Sequence, residues 1–123
     1  MRSKKLANDF TPTPDVLIDC IKKISSQATK YHFCLYPTTT LVLKKDLINS
    51  LKKIKKNNFD HLIPVSQYNV NPYRAFKFVA KNRIVFKSKK FISFRFQDLP
   101  KLCHDTGSFY IYKTKNLLKF NGR

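Results

Sequence analysis

The stretch "YHFCLYPTTTLVLKKDLINSLKKIKKNNFDHLIPVS", residues 31–66, decides the fold class because its apolar pattern changes twice. It opens with an apolar, aromatic run, Tyr31–Tyr36, that Pro37 ends, which is typical of a buried strand. A helix is predicted over 45–57, where apolar residues recur at helical spacing: Leu47, Ile48, Leu51 and Ile54. Phe59–Ser66 returns to a strand pattern, so the stretch predicts the order strand, helix, strand.

The flanking sequence extends this alternation on both sides. Before it, Thr13 is a candidate N-cap for a helix over 14–28 that begins with a proline. After it, 73–79 and 83–87 alternate with strand periodicity and predict a hairpin, and 109–112 predicts a last aromatic strand. We therefore predict an α/β fold with a mixed, partly parallel sheet flanked by helices. No linker or repeat is visible, and we expect a single domain over 1–123.

The composition limits the class of protein. Apolar residues make up 42% of the 123 residues, enough for one modest core. No apolar run is long enough to cross a bilayer, so we predict no membrane partner. Cys20, Cys34 and Cys103 lie far apart without metal-ligand spacing. Such scattered thiols indicate reduced cysteines in a cytoplasmic protein.

The net charge of +18, with 25 Lys and Arg against seven acidic residues, allows two interpretations. Lysines that lie opposite the apolar stripe of a helix are usually a solvated surface. A small basic nucleic-acid-binding protein would instead gather its cations on one face, with aromatic side chains between them. In either case, such a charge attracts polyanions non-specifically at low salt.

Four stretches, in this order, match motifs of one enzyme family. They are "RSKKLANDFTPT" (2–13), "CLYPTTTLVLKKDL" (34–47), "NPYRAFKF" (71–78) and "RFQDLPKLCHDTGSFYIY" (95–112). Together they resemble the acylneuraminate cytidylyltransferases, and most closely the branch that activates pseudaminic acid. The last stretch is the most specific of the four, and the resemblance covers nearly all of the chain.

The resemblance implies a fold and a reaction. The fold is that of the nucleotide-diphospho-sugar transferases, which is Rossmann-like. The reaction joins CTP and a nine-carbon nonulosonic acid of the pseudaminic or sialic type into a CMP-sugar and pyrophosphate, for the biosynthesis of cell-surface glycans. The family uses Mg²⁺ to neutralise phosphate charge. The implied partners are CTP, the acidic sugar and a second copy of the chain or a complementing polypeptide, with no specific nucleic acid.

The resemblance also implies contacts with the substrates, although it identifies no catalytic residue. The residues expected to bind the acceptor sugar are Thr38, Thr39, Arg74, Arg95, Gln97, Asp98, His104 and Asp105. Those expected near the nucleotide are Arg2 and Asp9.

Each expected contact has a structural alternative. His104 and Asp105 could belong to an ordinary turn in which Gly107 supplies a positive φ. Arg95 could pair with Asp98 at the surface. Arg74 could be an edge-strand arginine that faces water.

The sequence also departs from the family pattern. The family's glycine-rich CTP loop has no counterpart here, since no glycine precedes Gly107. The family's segment of metal-binding carboxylates has no counterpart either, so Mg²⁺ ligands are not expected in this chain. Tyr36 stands where the family has glutamine. We therefore expect an internal fragment of a cytidylyltransferase domain that is inactive alone.

Overall fold

The computed structural model describes residues 3–120 of the chain. The chain divides into two compact units. We call the first, formed by residues 1–64 and 107–123, the sheet unit. We call the second, Val65–Thr106, the hairpin unit.

Three helices and seven strands make up the regular structure of the described residues. The sheet unit contains α1 (Thr13–Lys23), β1 (Tyr31–Leu35), α2 (Lys44–Lys56), β2 (His61–Leu62), β7 (Phe109–Lys113) and α3 (Thr114–Phe120). The hairpin unit contains β3 (Val65–Gln67), β4 (Phe76–Ala80), β5 (Arg83–Phe86) and β6 (Cys103–Asp105). Short 3₁₀ turns cover Lys4–Leu6, Pro72–Arg74 and Phe96–Asp98. This mixture of helices and strands confirms the predicted α/β class.

The sheet unit is built on three strands in the order β1–β7–β2. β7 lies in the centre and pairs antiparallel with both neighbours, so that Ile111 is opposite Phe33 on one side and Leu62 on the other. β1 and β2 therefore run in the same direction without touching. The expectation of parallel pairing is wrong for the described residues: a later strand of the chain lies between the two strands that α2 connects.

The core of the sheet unit lies where α2 packs on this sheet. Ile54 and Ile111 are 0% exposed and Phe109 is 4% exposed. Partly buried side chains surround them: Tyr31, Phe33, Val42, Leu47, Leu51 and Leu62. The apolar stripe predicted for the second helix is thus largely the face that meets the sheet, and the lysines of the helix are exposed. Asp46 accepts a hydrogen bond from the Leu43 N–H at 3.2 Å and stabilises the first turn of α2.

A polar network joins β1 to α3 inside the sheet unit. The His32 Nδ1 lies 2.7 Å from the Thr114 hydroxyl, and its Nε2 lies 3.0 Å from the Ser26 hydroxyl. Thr114, 2% exposed, donates its own proton to the Thr29 carbonyl. It must therefore accept from His32, so Nδ1 carries a proton. Burial lowers the pKa of His32 because the charged ring would lose hydration.

The hairpin unit has two small antiparallel sheets, β3–β6 and β4–β5. In β4–β5, Phe76 is opposite Phe86 with ring centroids 4.6 Å apart, and Phe78 is opposite Ile84. Cross-strand partners share a face, so these four side chains form one apolar face. Phe78 is 83% exposed on it. The hairpin was predicted from its alternation, and the structure confirms it; the apolar face has no cover within the hairpin unit.

Three element boundaries differ from the prediction for local reasons. The strand predicted over 59–66 divides at Pro64 into β2 and β3, since proline has no N–H for the ladder. The helix predicted to 28 ends at Lys23, and Ser25 turns the chain at φ 51°. Thr13 does not cap this helix: it is the first helical residue, and its hydroxyl lies 2.8 Å from that of Tyr36.

Among the described residues, no helix combines the length and the apolar character that crossing a bilayer requires.

Candidate substrate-binding site

The most specific sequence motif begins with an ion pair in the hairpin unit. Arg95 donates from Nε to Asp98 Oδ2 at 2.7 Å and from Nη2 to Oδ1 at 3.2 Å, a bidentate pair across the 3₁₀ turn. The surface ion pair that the sequence offered as an alternative is therefore formed. The side chains are 73% and 43% exposed. The Arg95 guanidinium is thus oriented by Asp98 and still open to a dissolved anion.

Gln97 lies in the same turn and lines a pocket of about 190 Å³. Leu99, 6% exposed, lines it as well. Its other lining residues are Gln67, Tyr68, Asn69, Asn71, Phe96, Lys101 and Leu102. The pocket belongs wholly to the hairpin unit and brings one expected sugar-binding residue together with three side-chain carboxamides that were not among the expected contacts.

Arg74 ends the 3₁₀ turn Pro72–Arg74 rather than lying in the predicted strand, which begins at Phe76. Pro72 and the side chain of Asn71, which accepts from the Tyr73 N–H at 3.0 Å, favour this turn. The half-buried Arg74 donates from Nη1 to the Ile92 carbonyl at 3.0 Å. Its remaining guanidinium hydrogens can still reach a carboxylate, so the structure supplies a partner without excluding a ligand.

His104 and Asp105 are in a strand and not in the ordinary turn that the sequence offered as an alternative. Both belong to β6, where His104 is opposite Ser66 and Asp105 is opposite Val65. The ring of His104 packs 4.8 Å from that of Tyr68, which lines the pocket. Its Nδ1 lies 2.8 Å from the Asp105 carbonyl oxygen. A carbonyl only accepts, so Nδ1 carries the proton and Nε2 can accept one from a ligand hydroxyl.

The turn itself follows β6, and Gly107 makes it. Gly107 has φ 62°, a left-handed conformation that L side chains rarely adopt. The expectation that this glycine supplies a positive φ is confirmed.

The remaining expected contacts lie in the sheet unit. Thr38 and Thr39 follow β1, as predicted, in a tight turn where Thr39 donates both its N–H and its hydroxyl to the Tyr36 carbonyl. The exposed Thr38 hydroxyl makes no hydrogen bond with any described residue and can serve a ligand. Asp9 is exposed in a turn before α1. Arg2 lies outside the described residues.

A second, larger pocket of about 310 Å³ occurs in the sheet unit. It lies between the start of β2 and α3, with the rings of Phe59, Tyr112 and Phe120 on its walls. Asp60 accepts a hydrogen bond from the Asn116 carboxamide at its polar end. None of the residues expected to contact the sugar or the nucleotide lines this pocket.

Among residues 3–120, no three His, Cys, Asp or Glu side chains come together in a group that could hold a metal ion. Cys20, Cys34 and Cys103 are free thiols. Burial raises the pKa of Cys34, which makes its thiol less reactive.

The residues that motif analysis missed are the amides around Gln97. The segment "QYNVN", residues 67–71, holds three carboxamides in five positions, which was a signal in itself. The sequence alone does not place this segment. In the fold, it lies beside the turn that holds Gln97. Hydrogen bonds from the Asn71 Nδ2 to the Pro100 carbonyl, 2.8 Å, and from the Tyr68 N–H to the Leu102 carbonyl, 3.0 Å, hold the two segments together.

Comparison with known proteins identifies relatives over almost the whole chain. A pseudaminic acid cytidylyltransferase of Campylobacter jejuni serotype O:2 is 30% identical over 121 residues, 97% of this chain and 52% of the relative. That of serotype O:23/36 is 29% identical over the same coverage. A Helicobacter pylori protein named as a pseudaminic acid cytidylyltransferase and UDP-2,4-diacetamido-2,4,6-trideoxy-beta-L-altropyranose hydrolase is 30% identical over 94% of this chain and 22% of its own length.

The chain therefore spans about half the length of the C. jejuni relatives that it matches. No protein-family model matches it. The resemblance inferred from four short motifs is confirmed.

Proposed function

Since this chain resembles the pseudaminic acid cytidylyltransferases along 97% of its length, we propose that it serves the transfer of CMP from CTP to a nine-carbon acidic sugar of the pseudaminic or sialic type. In this reaction the anomeric hydroxyl of the sugar attacks the α-phosphorus of CTP, and pyrophosphate leaves. The length of the similarity carries the proposal. The four motifs in family order support it.

The described residues carry charged and hydrogen-bonding groups that can position the acceptor sugar. Arg95, held in place by Asp98, offers a fixed cation for the sugar carboxylate. Gln97 and the Nε2 of His104 offer hydrogen bonds to sugar hydroxyls. Thr38 and Thr39 offer a hydroxyl and backbone groups. Catalysis of phosphoryl transfer is mostly positioning and electrostatic stabilisation, so binding residues of this kind are its main requirement.

For the binding of CTP, the proposal is supported by the resemblance alone. Arg2 and Asp9 are the residues proposed near CTP. Mg²⁺ would neutralise phosphate charge, with ligands that we do not expect this chain to supply. We propose that the reaction takes place in the cytoplasm, which the three free thiols support.

A chimeric enzyme tests the function. In the C. jejuni serotype O:2 enzyme, the 121 matched residues are replaced by the corresponding residues of this chain, and formation of CMP-pseudaminic acid is measured. We expect turnover. Arg95→Ala in the chimera should lower kcat/KM for the sugar about 10- to 100-fold, as expected for a lost hydrogen-bonded charge pair, while the exposed Lys89→Ala of the same unit should not. A chimera that folds but forms no product contradicts the proposal.

The 123-residue chain by itself is proposed to be inactive. Its sequence offers no counterpart of the glycine-rich loop that binds CTP in the family. Incubation with CTP, Mg²⁺ and pseudaminic acid should release no pyrophosphate above a heat-denatured control. Turnover by the isolated chain would overturn this part of the proposal and leave the function itself standing.

We also propose that a second polypeptide takes part. It is either another copy of the chain or a complementing chain with the CTP loop. The uncovered apolar face of β4–β5 supports a second copy, since an exposed face of this kind commonly marks a protein interface. Sedimentation velocity of the wild type and of Phe78→Lys should then show a dimer and a monomer. A monomeric wild type would leave only the complementing chain.

Nucleic-acid binding is the competing function. One observation favours it: the Nζ atoms of Lys30 and Lys55 both lie 5.9 Å from the centre of the Tyr31 ring, so cations flank an aromatic side chain. The similarity to enzymes that act on a sugar acid outweighs this single cluster.

A further inference from the structure

The pocket of about 310 Å³ in the sheet unit lies apart from the sugar contacts expected in the same unit. β1 and β2 run in the same direction, and His61 at the start of β2 is level with His32 near the start of β1, because both pair with Tyr112. Thr38 and Thr39 follow the other end of β1. The pocket is therefore at the opposite end of the sheet from this turn, and the proposed function gives it no role.

The walls of the pocket are mainly aromatic. Tyr112 and His61 are cross-strand partners on one face of the sheet, with ring centroids 6.4 Å apart and an interplanar angle of 30°. Phe59 and Phe120 line other walls with exposed rings, and the buried Leu117 also belongs to the lining. Aromatic rings pack well on each other in offset-stacked or edge-to-face arrangements. The walls therefore suit a ligand with a flat aromatic ring.

Asp60 and Asn116 form a polar end of the pocket with unused acceptors. Asp60 Oδ1 accepts a hydrogen bond from the Asn116 carboxamide, and the Asp60 carbonyl accepts one from the Lys113 N–H at 2.8 Å. Among residues 3–120, neither Asp60 Oδ2 nor Asn116 Oδ1 accepts a hydrogen bond. Because the two side chains are bonded to each other, one ligand group with several N–H donors can serve both acceptors.

The charge of Asp60 narrows the choice of that group. Although the chain has 25 Lys and Arg, the Asp60 carboxylate makes no ion pair with a cation of residues 3–120. Its side-chain partner is the neutral carboxamide of Asn116. An ammonium group supplies three N–H donors and a compensating charge, and hydrogen bonds between ionised groups are the stronger ones. A ligand ammonium therefore fits this end of the pocket better than a hydroxyl or an amide.

Two lysines beside the walls favour an anionic group on the same ligand. Lys113 Nζ donates to Asn58 Oδ1 at 2.7 Å, next in the chain to the wall residue Phe59. Lys119 Nζ lies 4.9 Å from the centre of the Phe120 ring. A ligand that carried only an ammonium would be repelled by these cations and by the net charge of +18. A carboxylate on the ligand offsets that repulsion.

We propose that this pocket binds a free aromatic α-amino acid. Its ammonium group binds Asp60 and Asn116, and its carboxylate faces the two lysines. Its ring packs among Phe59, Tyr112 and Phe120. The volume of about 310 Å³ is at the lower end of the roughly 300–1,000 Å³ of small-molecule sites, as a ligand of this size requires. The proposal goes beyond the proposed function and is independent of it, since the two share no residue.

Tryptophan and two of its derivatives test this directly. The chain contains no tryptophan, so the fluorescence polarisation of the ligand, excited where tyrosine does not absorb, reports its binding. N-acetyl-L-tryptophan lacks the ammonium group, and tryptamine lacks the carboxylate. Salt at about 150 mM screens the general attraction. We expect L-tryptophan to bind most tightly, N-acetyl-L-tryptophan about 10- to 100-fold more weakly and tryptamine about 2- to 5-fold more weakly.

The order of the three affinities separates a specific site from the field of the whole chain. A general attraction to +18 would favour the N-acetyl anion, then the zwitterion, and tryptamine least. N-acetyl-L-tryptophan that binds as tightly as L-tryptophan, or an L-tryptophan that does not bind up to its solubility, would overturn the proposal.

Matched variants locate the ligand. Asp60→Asn should weaken the binding of L-tryptophan about 10- to 100-fold and leave that of N-acetyl-L-tryptophan unchanged. Asp15→Asn, at an exposed position of α1, changes the net charge equally and should affect neither. Phe59→Ala should weaken both about 2- to 10-fold, whereas Phe10→Ala, which also removes an exposed ring, should not.

Unfolding curves check that all four variants fold. Phe59→Ala removes an exposed ring, so it keeps the test decisive if Asp60→Asn does not fold. Equal effects of Asp60→Asn and Asp15→Asn, or of Phe59→Ala and Phe10→Ala, would show that the ligand does not bind in this pocket and would overturn the proposal.

Discussion

At the scale of single residues, His32 shows how a buried network makes stability depend on pH. Burial lowers its pKa in the folded chain, so the folded chain binds this proton less readily than the unfolded chain. The contribution is therefore fully present above the ordinary histidine pKa of about 6.5 and is lost as the pH falls through 6.5 toward the folded value. We expect the free energy of unfolding in urea to fall between pH 8 and pH 5.

The control for this prediction is the removal of each histidine in turn. His32→Gln should flatten the pH profile between 8 and 5, while the exposed His61→Gln and His104→Gln should keep it. A profile that His32→Gln leaves unchanged would contradict the role of this network.

A second prediction at this scale concerns Gly107, because a substitution there tests backbone strain without a change in side-chain packing. Its φ is 62°, and a Cβ built on it would meet no atom within 4 Å. Gly107→Ala should therefore cost only the left-handed conformation, about 1–2 kcal/mol of unfolding free energy by urea denaturation. Gly107→Asn should cost less, because asparagine tolerates this conformation. A larger loss in Gly107→Ala, or equal losses in the two variants, would show that the turn is constrained in another way.

At the scale of elements, the packing of α2 can be tested with two isoleucines that differ in burial. Ile54 and Ile48 are the same residue type on one helix, but Ile54 is 0% exposed in the core and Ile48 is 43% exposed. Ile54→Ala should destabilise the chain by about 2–5 kcal/mol through lost burial and a cavity. Ile48→Ala should cost well under half of that. Thermal and urea unfolding measure both, and similar losses would mean that α2 does not pack by the face described.

The elements themselves were largely predictable, and their pairing was not. α2, β1 and the β4–β5 hairpin have strong local patterns, so their types followed from periodicity. The position of β7 between β1 and β2 depends on contacts between residues such as Phe33 and Ile111, far apart in the chain, and no local pattern encodes that distance. The division at Pro64 was readable, since a proline inside a strand pattern argues against one continuous strand.

The candidate site follows the same division. The Arg95–Asp98 pair and the positive φ of Gly107 are local features, and the sequence offered both as structural alternatives to ligand binding. The strand conformation of His104 arises from its pairing with Ser66, which lies 38 positions earlier in the chain. Residues 67–71 become a pocket wall only through the hydrogen bonds that the Asn71 side chain and the Tyr68 N–H donate to the carbonyls of Pro100 and Leu102. The contacts between distant segments are thus the part of the site that the sequence did not predict.

At the scale of the whole molecule, the net positive charge is the property that acts over the longest distance. Against 25 Lys and Arg there are seven acidic residues, giving +18. The two ion pairs formed among residues 3–120, Lys23–Asp19 and Arg95–Asp98, involve only two of the cations. The excess of 18 positive charges has no acidic partner in this chain and is available to an anion in solution. This field favours the approach of nucleotides and sugar acids without choosing among them.

The last prediction separates that general attraction from specific nucleic-acid recognition. Fluorescence anisotropy of labelled single-stranded oligonucleotides with different sequences, mixed with the chain at 50 and 200 mM salt, measures both. We expect binding that weakens about 10-fold or more over this range, because counterion release dominates, and equal affinity for all sequences. Lys55→Ala and Lys89→Ala should weaken it slightly and alike, as independent charges do. A clear sequence preference, or a loss confined to Lys55→Ala beside Tyr31, would favour the nucleic-acid function, since base stacking on an aromatic ring flanked by cations is how single strands are held.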